Sequence, residues 1–415
     1  MRCGFCLPAC PTFRETGVEQ ESPRGRISLM KAAVDGLMEP NHDFEEQMNH
    51  CLGCRACEPV CPAGVQYGHL IEQTRDALED HTQTHRPWIR AVRRIAFQQL
   101  FPYQQRMRLL GGALRLAQKW KLNQAARKTG LMKLFPPHLQ AMERIMPEAS
   151  YQGVIGLIGE RHPAKGEKIA TVGLFRGCIM DVLFAGTNVN TVKLLTEAGF
   201  EVVIPPDQNC CGALHAHSGE AEQARGLARR NIQVFQAAGV DYIASNAGGC
   251  GASMVEYGHL LHEDPDWKEG AEWFASRVFD ISDLLVRFGR ALQFSGSAVR
   301  ITYQDSCHLR NVMRSSDAPR RLMKQVEGAV FTEMKEADRC CGSAGIYNLT
   351  QPDMAGQILD HKMAHVQAAA PDCLLTSNPG CLLQMKLGID KHDAAGTMQA
   401  GHVVDFLAER LVPAK

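Results

Sequence analysis

The sequence predicts an α+β multidomain chain: a helical, cysteine-bearing N-terminal domain, a helical linker, and two duplicated α/β cysteine-rich domains with parallel sheets. Three observations carry this. Two cysteine motifs that end in Cys-Pro stand near the start, at Cys3–Pro11 and Cys51–Pro62. The stretch 86–135 holds twelve Lys or Arg and no Asp or Glu. Beyond it a set of four cysteines occurs twice, with offsets of 129, 130, 130 and 131 residues. The expected limits are 1–85, 86–165, 166–290 and 291–415.

Length and composition set the frame. A chain of 415 residues suffices for two or three domains, each with its own core. Lys and Arg number 45, as do Asp and Glu, so no general attraction to nucleic acid exists. The sixteen cysteines fall in tight clusters, which suits thiolate ligation of metal in a reducing compartment better than a disulfide framework. A basic-then-apolar leader and a run of about 18 apolar residues are both missing, so the expected location is cytoplasmic.

The motif CLGCRACEPVCP reads C-x-x-C-x-x-C-x-x-x-C-P in full, while the opening MRCGFCLPACP supplies only three cysteines. In the bacterial two-cluster ferredoxin pattern, three closely spaced cysteines hold one 4Fe-4S cluster and the cysteine before proline crosses to the other. Cys51, Cys54 and Cys57 then share a cluster with Cys10, and Cys3 and Cys6 share the second with Cys61. That second cluster lacks one ligand, whose place falls immediately before Met1. The expectation is a chain that begins inside the motif, the native protein carrying a leading segment with the missing cysteine. The alternative is a three-thiolate cluster completed by water or lost. Zinc also accepts four thiolates, but two near-copies ending in Cys-Pro argue against it. Between the motifs, Ile27, Met30, Val34 and Leu37 recur at helical spacing, giving a helical two-cluster domain.

In the basic stretch, Trp88, Val92, Ile95, Leu109, Ala113, Leu116 and Trp120 recur at three or four, which reads as amphipathic helices broken near Pro87, Pro102 and Pro136-Pro137. With these charges removed the remainder of the chain is net acidic by twelve. Such a segment serves either as a solvated connecting hairpin or as a surface for an acidic partner or an anionic membrane face.

Each later copy alternates strand and helix. KIATVGLF, FEVVIPP and VDYIASN read as strands leading to Cys178, to Cys210-Cys211 and to Cys250; NTVKLLTEAG is a helix closed by Gly199, and another helix spans about 219–238. VRITYQ, AVFTEM and CLLTSN lead likewise to Cys307, to Cys340-Cys341 and to Cys381. Alternation implies a parallel sheet, with the cysteines gathered at the carboxyl ends of the strands. Four sulfurs there suit an iron-sulfur cluster, zinc or thiol chemistry. Adjacent cysteines pair poorly with each other, which favours a shared metal. Gly212 and Gly342 permit the tight backbone after each pair. His215, His217 and His308 read as local hydrogen-bonding residues, and Cys373 as a buried strand residue.

These motifs in this order resemble the iron-sulfur subunit of glycolate oxidase (glycolate dehydrogenase), related to the corresponding subunits of anaerobic glycerol-3-phosphate dehydrogenase and heterodisulfide reductase. CGFCLPACPTF and SPRGRI carry the likeness most specifically. The resemblance implies an electron-transfer subunit. FAD-containing partner subunits oxidise glycolate to glyoxylate, and electrons pass through the clusters here to a quinone acceptor, with a possible contact at the inner membrane face. No catalytic residue is expected in this chain, which offers neither G-x-G-x-x-G after a strand nor a P-loop. Lactate or glycerol 3-phosphate as donor, a heterodisulfide-reductase-like activity and a structural zinc scaffold are the alternatives. The fuller cysteine motif of the reductase relatives ends in C-x-x-C, whereas Ala247 and Asn378 stand at the first of those positions here, leaving four cysteines per copy.

Overall fold

The computed structural model describes residues 3–81, 87–393 and 396–413. The N-terminal region is helical, with helices at Pro11–Thr16, Pro23–Val34, His42–Asn49 and Tyr67–His81. Local chemistry explains where two of them start. The Gly25 amide donates to the Ser22 hydroxyl at 3.0 Å and Pro23 occupies the first turn, while the Phe44 amide donates to the Asn41 side chain at 3.0 Å. Ile27 and Met30 pack with Phe44, Met48, Tyr67 and Ile71 in a small core. Val34 and Leu37, expected on the same stripe, are exposed. The helix ends at Val34 and Gly36 takes a left-handed φ of 73°, which turns the chain away before Leu37 can reach the core.

The basic segment forms helices at Pro87–Arg93, Arg94–Leu100 (a π-helical stretch), Gln104–Lys119 and Leu122–Lys128, and a further helix follows at Pro137–Ile145. The breaks fall at Pro102 and at Pro136-Pro137, as the sequence predicts; residues 82–86 lie outside the described part. The apolar stripe behaves differently from the expectation for a packed amphipathic helix. Trp88, Val92, Ile95, Leu109, Ala113, Leu116 and Trp120 face solvent, and the buried side carries Phe97, Gln104, Met107 and Gly111. Close approach selects that side, because a Cβ at Gly111 would lie 2.7 Å from both the Ser150 carbonyl oxygen and Val182.

Two sheets follow. In the first, β1 (Arg161–His162), β2 (Ala170–Phe175), β3 (Phe200–Val203), β4 (Tyr242–Ser245) and β5 (Val278–Asp280) lie in the order β1-β3-β2-β4-β5, antiparallel only at β1. In the second, β6 (Gln293–Gln304), β7 (Val326–Phe331), β8 (Cys373–Thr376) and β9 (Gln399–His402) are parallel in the order β7-β6-β8-β9, and β10 (Leu411–Val412) joins β6 antiparallel. The parallel orders 3-2-4-5 and 7-6-8-9 are the same, so the duplication read from the cysteines extends to the whole topology. The expected helices appear at Ala185–Glu197 and Ala221–Ala237, with Gly199 at φ 94° closing the first.

Each copy has an apolar cluster of its own, around Phe235 and Phe274 in the first and around Met363 and Met385 in the second, and a further cluster spans both copies. The spanning cluster joins Val172, Leu194 and Phe200 of the first copy to Ile301, Tyr303, Leu375 and Phe406 of the second. Polar contacts close the seam: Asp405 accepts from Thr187 at 2.8 Å and from Asn190 at 2.9 Å, and Lys193 donates to the Ala408 carbonyl at 2.8 Å. A sheet of five short strands covers little apolar area alone, and joining two enlarges what is removed from water.

Candidate metal centres

The seven N-terminal cysteines lie around two cavities. One is lined by Cys10, Cys51, Cys54 and Cys57 together with Thr12, Arg26 and Tyr67. The other is lined by Cys3, Cys6, Cys57 and Cys61 together with Arg24, Ile27 and Tyr67. The structure brings Cys10, Cys51 and Cys54 to one cavity and Cys3, Cys6 and Cys61 to the other, while Cys57 and Tyr67 line both. Around Cys51 the sulfur accepts from the Gly53 amide at 3.3 Å and from the Tyr67 hydroxyl at 3.7 Å. Burial pushes the Cys10 and Cys57 thiols up, and contact with Cys340 does so for Cys54. A metal group bound there would supply the positive charge that favours their thiolate forms.

In the duplicated domains the cysteines sit where the topology predicts, at the carboxyl ends of the parallel strands. Cys178 opens the helix Ile179–Leu183, Cys210 and Cys211 follow β3, and Cys250 lies in the helix Gly248–Val255. The sulfurs of Cys178 and Cys210 are 3.5 Å apart, and Cys211 contacts Cys210 and Cys250. Cys307, Cys340, Cys341 and Cys381 repeat the arrangement, Cys340 touching Cys307 and Cys341 touching Cys340 and Cys381. Gly212 and Gly342 adopt φ of 84° and 89°, the left-handed turn expected after each pair.

The two cysteine-bearing edges face each other. The Gly248 amide donates to the Ser377 carbonyl at 3.1 Å and the Gly249 amide to the Asn378 side chain at 3.1 Å, while Cys250 and Ala247 pack with Leu382. Asn378 also reaches Cys381 Sγ with its amide at 3.5 Å. The second copy meets the N-terminal domain directly. Cys54 touches Cys340, Asn311 donates to the Cys54 carbonyl at 2.9 Å, and the Tyr347 hydroxyl donates to the His50 carbonyl at 3.0 Å.

Four thiolates on one tetrahedral zinc, with Zn–S near ~2.3 Å, stand about 3.8 Å apart. Among the described residues no three cysteine sulfurs lie mutually within 4.8 Å; the only trio of ligand atoms that does is the exposed His42, Asp43 and Glu46. Single pairs do come this close, Cys178 and Cys210 at 3.5 Å.

Of the three histidines named from the sequence, His215 Nε2 bonds the Phe97 carbonyl at 2.8 Å and His217 Nδ1 bonds Glu72 at 2.7 Å, so both hydrogen-bond, as expected, but to the basic segment and the N-terminal domain and not locally. His308 lies beside Cys307 at 3.5 Å, and burial pushes its imidazole down to about 3. Cys373 is half-buried in β8. The sequence reading passed over Arg26, Glu21, Thr12 and Tyr67. Arg26 is fully buried and paired with Glu21 at 2.6 Å, which also bonds His50 at 2.9 Å. Its one signal was a position inside SPRGRI, because apolar periodicity says nothing about a buried guanidinium.

Two cysteine-lined cavities in a helical domain, followed by two cysteine-rich parallel-sheet domains, define a multicentre iron-sulfur protein of the electron-transfer class. Models of known families agree: a 4Fe-4S dicluster domain matches residues 1–65, a cysteine-rich domain matches 172–255 and 301–386, and the linker region of the glycolate oxidase iron-sulfur subunit matches 88–146. The chain is 48% identical to the probable glycolate oxidase iron-sulfur subunit of Bacillus subtilis (strain 168), over 99% of this chain and 93% of that one. It is 28% identical to the glycolate oxidase iron-sulfur subunit of Escherichia coli (strain K12) over the same shares. Lactate utilization protein A of Shouchella clausii is 30% identical over 57% of this chain and 98% of its own length. A solved hypothetical protein from Helicobacter pylori shares the fold with a TM-score of 0.51 at 10% identity, covering 94% of this chain and 67% of that one. The chain belongs to the glycolate oxidase iron-sulfur subunit family.

Proposed function

We propose that the chain carries electrons away from the oxidation of glycolate to glyoxylate. A partner subunit holding FAD takes two electrons and two protons from glycolate, and the electrons leave through this chain toward a quinone. The observation that supports this best is unbroken contact between the cysteine sites. The two N-terminal cavities share Cys57 and Tyr67, Cys54 touches Cys340, and the two later cysteine groups face each other across Ala247 and Leu382. Iron-sulfur clusters, when bound, supply one-electron chemistry whose potential follows net charge, hydrogen bonds to sulfur and solvent exposure.

In this reading Cys10, Cys51, Cys54 and Cys57 hold one 4Fe-4S cluster, and Cys3, Cys6 and Cys61 hold the second. Cys178, Cys210, Cys211 and Cys250 hold a third metal group, and Cys307, Cys340, Cys341 and Cys381 a fourth. The match of residues 1–65 to a 4Fe-4S dicluster domain favours clusters over zinc at the two N-terminal sites. The domain limits 1–85, 86–165, 166–290 and 291–415 follow the same division. Glycolate is preferred to lactate because the glycolate-named relatives align over 99% of the chain, whereas the lactate utilization protein aligns over 57%.

The basic segment supports docking at the inner face of the membrane. Among the described residues Arg90, Arg94, Lys119, Lys121, Lys128 and Lys133 form no ion pair, and they share the segment with exposed Trp88, Leu109, Trp120 and Phe135. No described helix is long and apolar enough to cross a membrane.

Iron, acid-labile sulfide and zinc per chain, measured on anaerobically purified protein, test the reading. Iron and sulfide in near-equal amounts are expected, with bleaching of the visible absorbance when glycolate, but not lactate, is added to the complex with its flavoprotein. Zinc without sulfide would replace the relay with a scaffold.

A further inference from the structure

Two arginines two residues apart in SPRGRI line the two N-terminal cavities separately. Arg24 lines the cavity of Cys3, Cys6 and Cys61, and Arg26 that of Cys10, Cys51, Cys54 and Cys57. Their surroundings differ sharply. Arg24 stands at the surface, paired with the exposed Glu19 at 2.6 Å, where water screens both charges. Arg26 is 0% exposed. Its guanidinium donates to the Gln47 carbonyl at 2.8 Å, to the Glu21 carbonyl and to Glu21 Oε2 at 2.6 Å, and to the Thr12 hydroxyl at 3.3 Å. Every named donor is committed to the scaffold, so Arg26 acts on the neighbouring sulfurs by its charge and not by hydrogen bonds to them. It also holds Thr12, whose hydroxyl lies 3.3 Å from Cys10 Sγ.

We propose that Arg26 is a charge-setting residue that raises the electron affinity of the Cys10, Cys51, Cys54 and Cys57 site above that of the Cys3, Cys6 and Cys61 site. This rests on the assignment of a cluster to each cavity. A site that gains an electron gains negative charge, and a fixed cation in a low-dielectric wall favours that gain where a screened surface cation does so weakly. Cys10 and Cys51 are among the groups that stabilise the Arg26 charge, and the attraction is mutual. Glu21 opposes the effect, since its carboxylate pairs with the same guanidinium and with His50 and carries the opposite charge. The relay is thereby given a direction, electrons resting on the site that touches the second cysteine-rich copy.

The test is an EPR-monitored redox titration of the full chain, with the signal lost in Cys54→Ser taken as that of the Arg26 site. In Arg26→Gln that midpoint should fall while the other stays. In Arg26→Lys it should fall less, and in Glu21→Gln it should rise, so a reading survives even where Arg26→Gln does not fold. Arg24→Gln should move neither by as much. Clusters present but with midpoints that do not move, or that move together in Arg26→Gln and Glu21→Gln, would overturn the inference alone. A wild-type chain without iron and sulfide would remove the cluster assignment and this inference with it.

Discussion

The two cysteine-rich copies share strand order and cysteine positions, yet the charges that flank their first cysteines are reversed. In the first copy Arg176 precedes Cys178 and Asp181 follows it, 3.7 Å from that arginine. In the second, Asp305 precedes Cys307 and Arg310 follows it, at 2.9 Å. Both carboxylates are buried. The partners they recruit differ. Asp181 accepts from Gln104 at 2.9 Å and Arg108 at 3.0 Å, which fastens the basic helix to the first copy, while Asp305 takes Arg320 at 2.6 Å from within its own copy. The second copy's cysteines are left free to meet the N-terminal domain. Duplication preserved the backbone that gathers sulfurs, and the side chains around each set decided which neighbour it faces.

The largest expected difference between the copies is in metal content. Cys210→Ser should cost the first copy its metal and leave the N-terminal signals intact. Cys340→Ser should cost the second copy its metal and also disturb the signal of the Cys10, Cys51, Cys54 and Cys57 site, through contact with Cys54. Iron analysis with EPR reads both, and identical spectra from the two variants would dissolve the asymmetry.

Stability comes next. Asp181→Ala leaves Arg176 buried without its carboxylate, and removing one member of a buried pair costs about 3–5 kcal/mol. Burial, helped by Arg108, pulls Arg176 down to about 10 even with Asp181 in place. Asp305→Ala should cost less, about 2 kcal/mol, because Arg310 can turn to water and Arg320 keeps Glu333 at 2.7 Å. Chemical denaturation of the two variants compares them; an equal loss would mean that burial of the cation does not set the cost.

How much of this was legible beforehand depends on what each feature advertises. Cysteine spacing announced which cysteines gather around each N-terminal cavity, and alternation of strand and helix placed Cys178, Cys250, Cys307 and Cys381 at strand ends, because both depend on local geometry. Gly212 and Gly342 were readable for the same reason. The shared core was not, since Leu194 and Phe406 are ordinary apolar residues whose partner is fixed only when helix Ala185–Glu197 meets helix Val403–Arg410. The linker's spacing announced its helices without saying which face packs, and at Gly111 close backbone approach sets that face. Arg26 was hidden because its meaning lies in partners spread from Thr12 to Cys51.

A subtler contrast lies one layer behind the cysteines, where the last parallel strand of each copy runs into a helix. Asp280 caps the first of these helices, accepting from the Ser282 amide at 2.8 Å, and His402 caps the second, accepting from the Val404 amide at 3.2 Å while donating to the Asn246 carbonyl at 2.9 Å. Both are buried and both are held neutral, but from opposite sides. Burial pushes the Asp280 carboxyl up to about 7, with Asp283 adding to it, and pulls the His402 imidazole down against the pull of Asp405. Between about pH 4 and 7 native Asp280 keeps a proton that the unfolded carboxyl has released, so stability falls as pH rises through that window and the loss is complete above it. His402 works in reverse: below its ordinary value near ~6.5 the unfolded imidazole takes a proton that the native one refuses, so stability falls as pH drops. Asparagine at either position keeps an acceptor for the cap and removes the titration. Asp280→Asn should therefore stabilise the chain at pH 8 by about 1–2 kcal/mol, within the ceiling of ~4 kcal/mol for a carboxyl carried from about 4 to about 7. His402→Asn should instead flatten the acid limb of the profile. Denaturation midpoints from pH 5 to 8 decide the matter: if Asp280→Asn leaves the alkaline limb unchanged, the carboxyl is ionised in the fold and the two caps do not differ in the way their burial requires.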